Sequence, residues 1–280
     1  MTPTQLQPGL YPGVPAHQYH SWQAASQSVL KIIRDQSPAH AYQQMMSPAP
    51  STPAMRMGTA IHTAILQPDV FDQTYIVATD VDRRTKTGRE EWALLVNAWG
   101  EDNILKPEEM QEITAIRDAV LSHPTAGPLL RGDVELSALW TDDETGVLCK
   151  GRFDVANKRV GALVDLKTTR DASKRAFSRA IWHYGYHIQA AHYLAGAKAH
   201  GIDAEFFVIV AVEKAPPYAV AVYNLRGDVI KAGRDELRPL IRQYAECLES
   251  GHWPGYPTEA VEIDLPRYAW YEHDERMGLA

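Results

Sequence analysis

The chain has 280 residues, 45% of them hydrophobic and 22% charged, which is an ordinary soluble globular composition with enough apolar material for a substantial core. A formal net charge of −7 excludes a protein that coats nucleic acid through bulk positive charge, while leaving local contact open. No stretch approaches the ~18 continuous apolar residues of a membrane helix, the start "MTPTQLQPGLYPGV" lacks a secretory pattern, and the two distant cysteines, Cys149 and Cys247, read as reduced thiols in a cytoplasmic protein.

Residues 1–18, rich in Pro, Gln and Gly, read as an irregular arm. The run "HSWQAASQSVLKIIRDQS" has helical spacing, with Ser21 as its expected N-cap and Pro38 beyond its end. "SPAPSTPAM" reads as an exposed linker, and "RMGTAIHTAIL" (56–66) returns to helical spacing before Pro68. In "RRTKTGREEWALLVNAWG" a basic loop precedes a helix, with Thr87 and Glu90 in a capping-box pattern. "KPEEMQEITAIRDAVLSHP" is the plainest helix: Pro107 starts it, acids fill its first turn, and Pro124 follows it.

The period then changes. "DVELSALWTD", "LCKGRFDVAN" and "GALVDLKTT", separated by the turns "DDETG" and "NKRVG", predict a three-stranded antiparallel meander. "SKRAFSRAIWHYGYHIQAAHYLAGAKAHG" predicts helix interrupted near Gly185, and "AEFFVIVAVEK" and "YAVAVYNLR" add two strands around "APP". A helix carrying Pro239 follows, then the aromatic, irregular tail 251–280. The expected fold is an α/β mixed central sheet flanked by helices, with a helical N-terminal part. Residues 19–280 are expected to form a single domain, comprising that helical part (19–130), the sheet and its helices (131–250) and the tail.

An acid and a base close the apolar strand "ALVDLK". Burying both costs several kcal/mol unless something offsets it. Asp165 and Lys167 are two apart and share a strand face, and Asp154 stands at alternate spacing in the preceding strand. One strand earlier, Glu135 reaches the same rim. Three carboxylates and a lysine on one face suit a hard cation such as Mg²⁺ or Mn²⁺, and such a site suits phosphodiester hydrolysis. A plain structural ion pair is the competing reading of Asp165 and Lys167. Gly58 and His62 lie four apart on one helix face, as do Gln189 and Tyr193 on another.

The ordered set G-x-x-x-H, D, D-x-K and Q-x-x-x-Y resembles the RecB-type branch of the PD-(D/E)XK nuclease superfamily, with its restriction-endonuclease-like fold. "SQSVLKIIRDQSPAHA", "MGTAIHTAILQPDVFDQTYIV", "RRTKTGREEW" and "GYHIQAAHYLAG" resemble RecE-like prophage exonucleases of the exodeoxyribonuclease VIII type. The resemblance implies His62, Asp154, Asp165 and the Leu166 main-chain carbonyl as metal ligands, and Lys167 as the catalytic lysine. It implies that Gln189 and Tyr193 support the site, with Glu135 as a further acid. It also implies 5′→3′ resection of double-stranded DNA ends, a RecT-like single-strand annealing partner, a ring-shaped homo-oligomer and a bacterial or phage-encoded origin. Two cysteines cannot build the four-cysteine iron–sulphur cluster of some RecB-type nucleases. The loop cations Arg83, Arg84, Lys86 and Arg89 are either a solvated turn or a phosphate grip. An endonuclease, a single-strand nuclease and a non-catalytic DNA-end-binding scaffold remain the rival functions.

Overall fold

The computed structural model describes residues 6–78 and 81–279. Its strands are β1 (Gly9–Tyr11), β2 (Ala25–Ser26), β3 (Ile76–Val77), β4 (Ile104–Leu105), β5 (Asp133–Thr141), β6 (Leu148–Asn157), β7 (Ala162–Thr169), β8 (Phe206–Glu213) and β9 (Val220–Asn224). The first eight helices are α1 (Ala16–Ser21), α2 (Gln27–Asp35), α3 (Pro38–Met46), α4 (Pro53–Leu66), α5 (Pro68–Thr74), α6 (Lys86–Trp99), α7 (Pro107–Ser122) and α8 (Ala126–Leu129). After the meander come α9 (Lys174–His183), α10 (Tyr186–Ala199), α11 (Gly227–Ser250) and α12 (Arg267–Met277).

Among the described residues, seven strands form one mixed sheet in the order β1-β5-β6-β7-β8-β9, with β2 pairing β6 in parallel. The β5-β6-β7 meander is antiparallel. The α9–α10 crossover then makes β7 and β8 parallel neighbours, as a parallel pair requires. β8 is apolar at all but its last position, and β7 is apolar at Ala162–Val164 and Leu166, because helices cover both of their faces. On one face Leu163, Phe207 and Ile209 pack with Ile188 of α10, Leu30 of α2 and Leu237 of α11. On the other, Val164, Leu166 and Val210 pack with Ile61 of α4 and Ile116 of α7. Each fully buried aliphatic side chain here contributes about 1.5–3 kcal/mol relative to exposure.

Several local expectations are corrected. Ser21 does not cap a helix but ends α1; the N-cap of α2 is Ser26, whose hydroxyl accepts from the Val29 N–H at 3.3 Å. Thr85, not Thr87, caps α6, accepting from Gly88 N–H at 2.9 Å. The arm expected to be irregular carries β1 and the first half of α1, although its first five residues lie outside the described ones. The tail expected to be irregular ends in α12, none of whose residues is buried.

Candidate active site

The register of the meander sets the site. Ladder positions Val134–Val155 and Leu136–Phe153 flank Glu135 and Asp154, so these two acids stand opposite each other on adjacent strands. Like charges directly opposed in this way are destabilising unless something intervenes. Glu135 also has φ 49°, a left-handed backbone that a side-chain-bearing residue adopts only at a cost. Between β6 and β7 the ladder stops at Val155–Val164. Beyond it the strands fork, and Asp154 Oδ2 replaces the missing ladder bond by accepting from Leu166 N–H at 2.8 Å.

Helices from both layers reach this fork. From α4, His62 Nδ1 lies 3.7 Å from Asp154 Oδ2. His62, Glu135 and Asp154 each offer a ligand atom, all within 4.8 Å of one another. From α10, the buried Gln189 donates to Asp165 Oδ1 at 2.6 Å. Asp165, only 2% exposed, has its other oxygen 2.5 Å from Lys167 Nζ in a close ion pair. Tyr193, one turn beyond Gln189, packs edge-on against Phe153 with ring centroids 5.3 Å apart.

The expected residues therefore converge, with one difference. Three carboxylates on a single sheet face were expected. Glu135 and Asp154 instead gather with His62, while Asp165 shares the β7 face of Leu163 and lies behind them with Gln189 and Lys167. The β5–β6 ladder is interrupted at Glu135 and Asp154, and alternation breaks there: Phe153 and Val155, two apart, pack into opposite cores. A cleft of about 600 Å³ opens over His62, Glu135, Asp154 and Tyr193. Gly58 also lines it, and a Cβ there would meet nothing within 4 Å, so no packing demands glycine. The loop cations do not line this cleft. Arg84 pairs with Asp82 at 2.9 Å, Lys86 with Glu90 at 3.9 Å, and Arg83 lies 4.5 Å over Trp92, while Arg89 donates to the Arg84 carbonyl at 3.1 Å.

Burial, then the Asp165 and Glu135 charges, raise the Asp154 carboxyl well above the usual carboxylate range, against the opposing pull of Lys167. Burial alone would lower the Lys167 ammonium, but Asp165 and Asp154 outweigh it and raise it above an ordinary lysine. Burial and then Lys167 lower His62, which leaves its ring neutral near pH 7 with a lone pair to give. The donor set fits a divalent cation: clustered carboxylate oxygens of Glu135 and Asp154 and a neutral imidazole.

Sequence reasoning missed four side chains around the site. Lys150 and Arg152 alternate with Asp154 along β6, a period-2 signal legible in "CKGRFD". The Lys150 ammonium donates to the carbonyls of Tyr19, His20 and Trp22 at 3.0, 3.2 and 2.8 Å, and burial lowers its pKa to about 8. Arg152 pairs with Glu135 and donates to the Val14 carbonyl at 2.8 Å. The ring of Tyr186 lies 5.1 Å from Lys167 Nζ and 5.9 Å from Lys31 Nζ. Burial, with Lys167 adding to it, brings Lys31 down to about 8. No sequence signal tied Lys31 or Tyr186 to this place.

Comparison with known proteins agrees with this architecture. The chain is similar to the crystal structure of a "Putative exonuclease" from Eubacterium rectale, with a TM-score of 0.63 and 12% identity over 93% of this chain and 98% of that one, a likeness of fold. The crystal structure of SSO0001 aligns with a TM-score of only 0.27, at 18% identity over 65% of this chain and 86% of that one, and carries no weight. No curated protein matches the chain. Among the described residues no helix is long and apolar enough to cross a membrane. The family described as "PDDEXK-like domain of unknown function (DUF3799)" matches residues 26–265, from β2 through the strand fork to the C-terminal arm, and the chain belongs to that family.

Proposed function

We propose that the chain is a DNA nuclease dependent on a divalent cation, Mg²⁺ or Mn²⁺, and that it acts as one domain over residues 19–280. The observation that carries this reading is the convergence of His62, Glu135 and Asp154 within 4.8 Å beside the Asp165–Lys167 pair. His62, Glu135, Asp154 and Asp165, with the Leu166 carbonyl, would hold the cation. When bound, it supplies polarisation of the phosphodiester and lowers the pKa of water. Lys167, kept protonated by Asp165 and Asp154, contributes positive charge and hydrogen bonds to the phosphate where negative charge develops. Gln189 fixes the rotamer of Asp165, and Arg152 fixes that of Glu135. Tyr193, buried beneath the cleft, keeps a protonated phenol because burial raises it well above the ordinary tyrosine range.

The narrower reading is an exonuclease that resects linear duplex 5′→3′, leaving a 3′ single strand for a RecT-like annealing protein, in a ring-shaped homo-oligomer. It draws on the resemblance to RecE-like exonucleases, and the name of the Eubacterium rectale neighbour is compatible with it. The test uses linear duplex DNA labelled separately at each 5′ end and internally, with Mg²⁺, with EDTA, and beside a closed circle. The expected result is loss of 5′ label from linear DNA alone, abolished by EDTA, Asp165→Ala or Lys167→Ala. Cleavage of the circle would overturn the exonuclease. Binding without cleavage under either metal would overturn the nuclease.

A further inference from the structure

The turn joining α9 to α10 is built more firmly than a connection needs. Gly185 has φ +63°, and a Cβ there would come within 2.7 Å of Arg34 Nη1 and 2.8 Å of Lys31 Cδ. Those two α2 cations hold the turn by its carbonyls: Lys31 Nζ donates to Tyr184 at 3.0 Å and Arg34 Nη2 to His183 at 3.4 Å. The backbone is clamped while two large aromatic side chains stay outside, Trp182 at 67% and Tyr184 at 55% exposure. The Tyr184 ring lies 5.7 Å from that of Tyr186, at 32° to it, and the Tyr186 ring carries Lys167 Nζ. An exposed aromatic thus stands one ring away from the ring that touches the candidate catalytic lysine. The helix leading into the turn exposes Lys174, Arg175 and Arg179, a cationic run in a chain of net charge −7.

A rigid aromatic step flanked by cations is the chemistry that holds unpaired nucleotides. Bases of any identity stack on the rings, and the cations follow the phosphates. Resting on the nuclease reading, we propose that the 182–186 turn is a stacking platform for unpaired DNA at a duplex end. The terminal base lies on Tyr184, its phosphate is presented to Lys167, and the α9 cations take the next phosphates. Fraying of the end is thereby drawn toward the site by the energy of stacking.

The test uses single-stranded, blunt and forked DNA carrying 2-aminopurine at a terminal position, at fixed salt. Binding is read in EDTA and cleavage in Mg²⁺, for wild type, Tyr184→Trp and Tyr184→Leu. Wild type is expected to quench 2-aminopurine. Tyr184→Trp is expected to keep the quenching, and Tyr184→Leu to lose it with about tenfold weaker single-strand binding. In Mg²⁺ the Leu variant is expected to lose more rate on blunt than on forked ends. Wild-type quenching and affinity in the Leu variant would overturn the platform while leaving the nuclease reading untouched. Absence of cleavage by wild type, with quenching that still depends on Tyr184, would overturn the nuclease reading and support the platform. A Leu variant that changes oligomer size by light scattering, with unchanged DNA binding, would overturn the platform in favour of an interface between copies.

Discussion

Replacing Asp154 by Asn removes a charge from the carboxylate cluster while keeping its shape and its acceptor for the Leu166 N–H. Two unit charges 4.8 Å apart, the limit set by the cluster, repel by about 3.5 kcal/mol at an effective dielectric constant of 20. Arg152 beside Glu135 and Lys167 beside Asp165 offset part of this, leaving an expected gain of about 1–2 kcal/mol for the metal-free variant. That corresponds to a Tm roughly 2–8 °C above wild type in EDTA. The cation term runs the other way: at 100 times its Kd it stabilises wild type by about 2.7 kcal/mol, and the variant is expected to gain little of that. Because the folded-state pKa of Asp154 is raised, metal-free wild type binds more protons folded than unfolded between about 3.9 and that raised value. Its stability therefore falls as pH rises through the window, and the advantage of Asp154→Asn disappears on acidification. Thermal melts in EDTA and in MgCl₂ across pH measure all of this. A variant that melts below wild type in EDTA, yet shows the full Mg²⁺ shift, would refute both the repulsion and the ligand role.

Gln189→Ala strips Asp165 of the amide that holds its Oδ1, a charge-assisted contact worth about 1.5–3 kcal/mol. Single-turnover cleavage is expected to slow about 10–100-fold, with DNA affinity little changed. Burial depresses His192, which shares a hydrogen bond with the Lys150 carbonyl at 3.0 Å, to about 4. Its unfolded form takes up the proton first, so about 3 kcal/mol of stability present above pH ~6.5 is lost as pH falls toward 4. Urea midpoints against pH are expected to show that slope, flattened in His192→Gln. At the α10–α11 crossing, a Cβ on Gly233 would lie 2.1 Å from the His187 carbonyl oxygen. Gly233→Ala is expected to lower Tm by roughly 5–10 °C, since a backbone carbonyl cannot swing aside as a side chain can.

What the sequence disclosed follows the range over which each feature is determined. The meander and α7 were legible because alternation, prolines and end charges are written locally. The two-residue strands β2, β3 and β4 were not, because only a partner far along the chain makes them strands. Helices α3 and α5 begin at Pro38 and Pro68, prolines that read as stops but stand at first-turn positions. In the site, the order His62, Asp154, Asp165, Lys167, Gln189 named residues that the fold brings together. The alternation in "CKGRFD" places Lys150 near Asp154, but its grip on the N-terminal segment has no sequence sign, because its partners are carbonyls some 130 residues away. Trp92 and Trp99, core residues by type, are half-buried, since Gly88 is the residue that α6 buries.

The left-handed backbone at Glu135 sets stability and chemistry against each other at one position. Glycine or asparagine would sit there more comfortably and would also relieve the charge facing Asp154. A homologue released from the need for the acid would gain backbone and electrostatic relief by drifting to either, against the loss of the ion pair with Arg152. Position 135 can therefore serve as a diagnostic when relatives are compared: retention of the acid in so unfavourable a conformation marks a lineage in which the carboxylate is still under selection, and its loss marks one that has been let go.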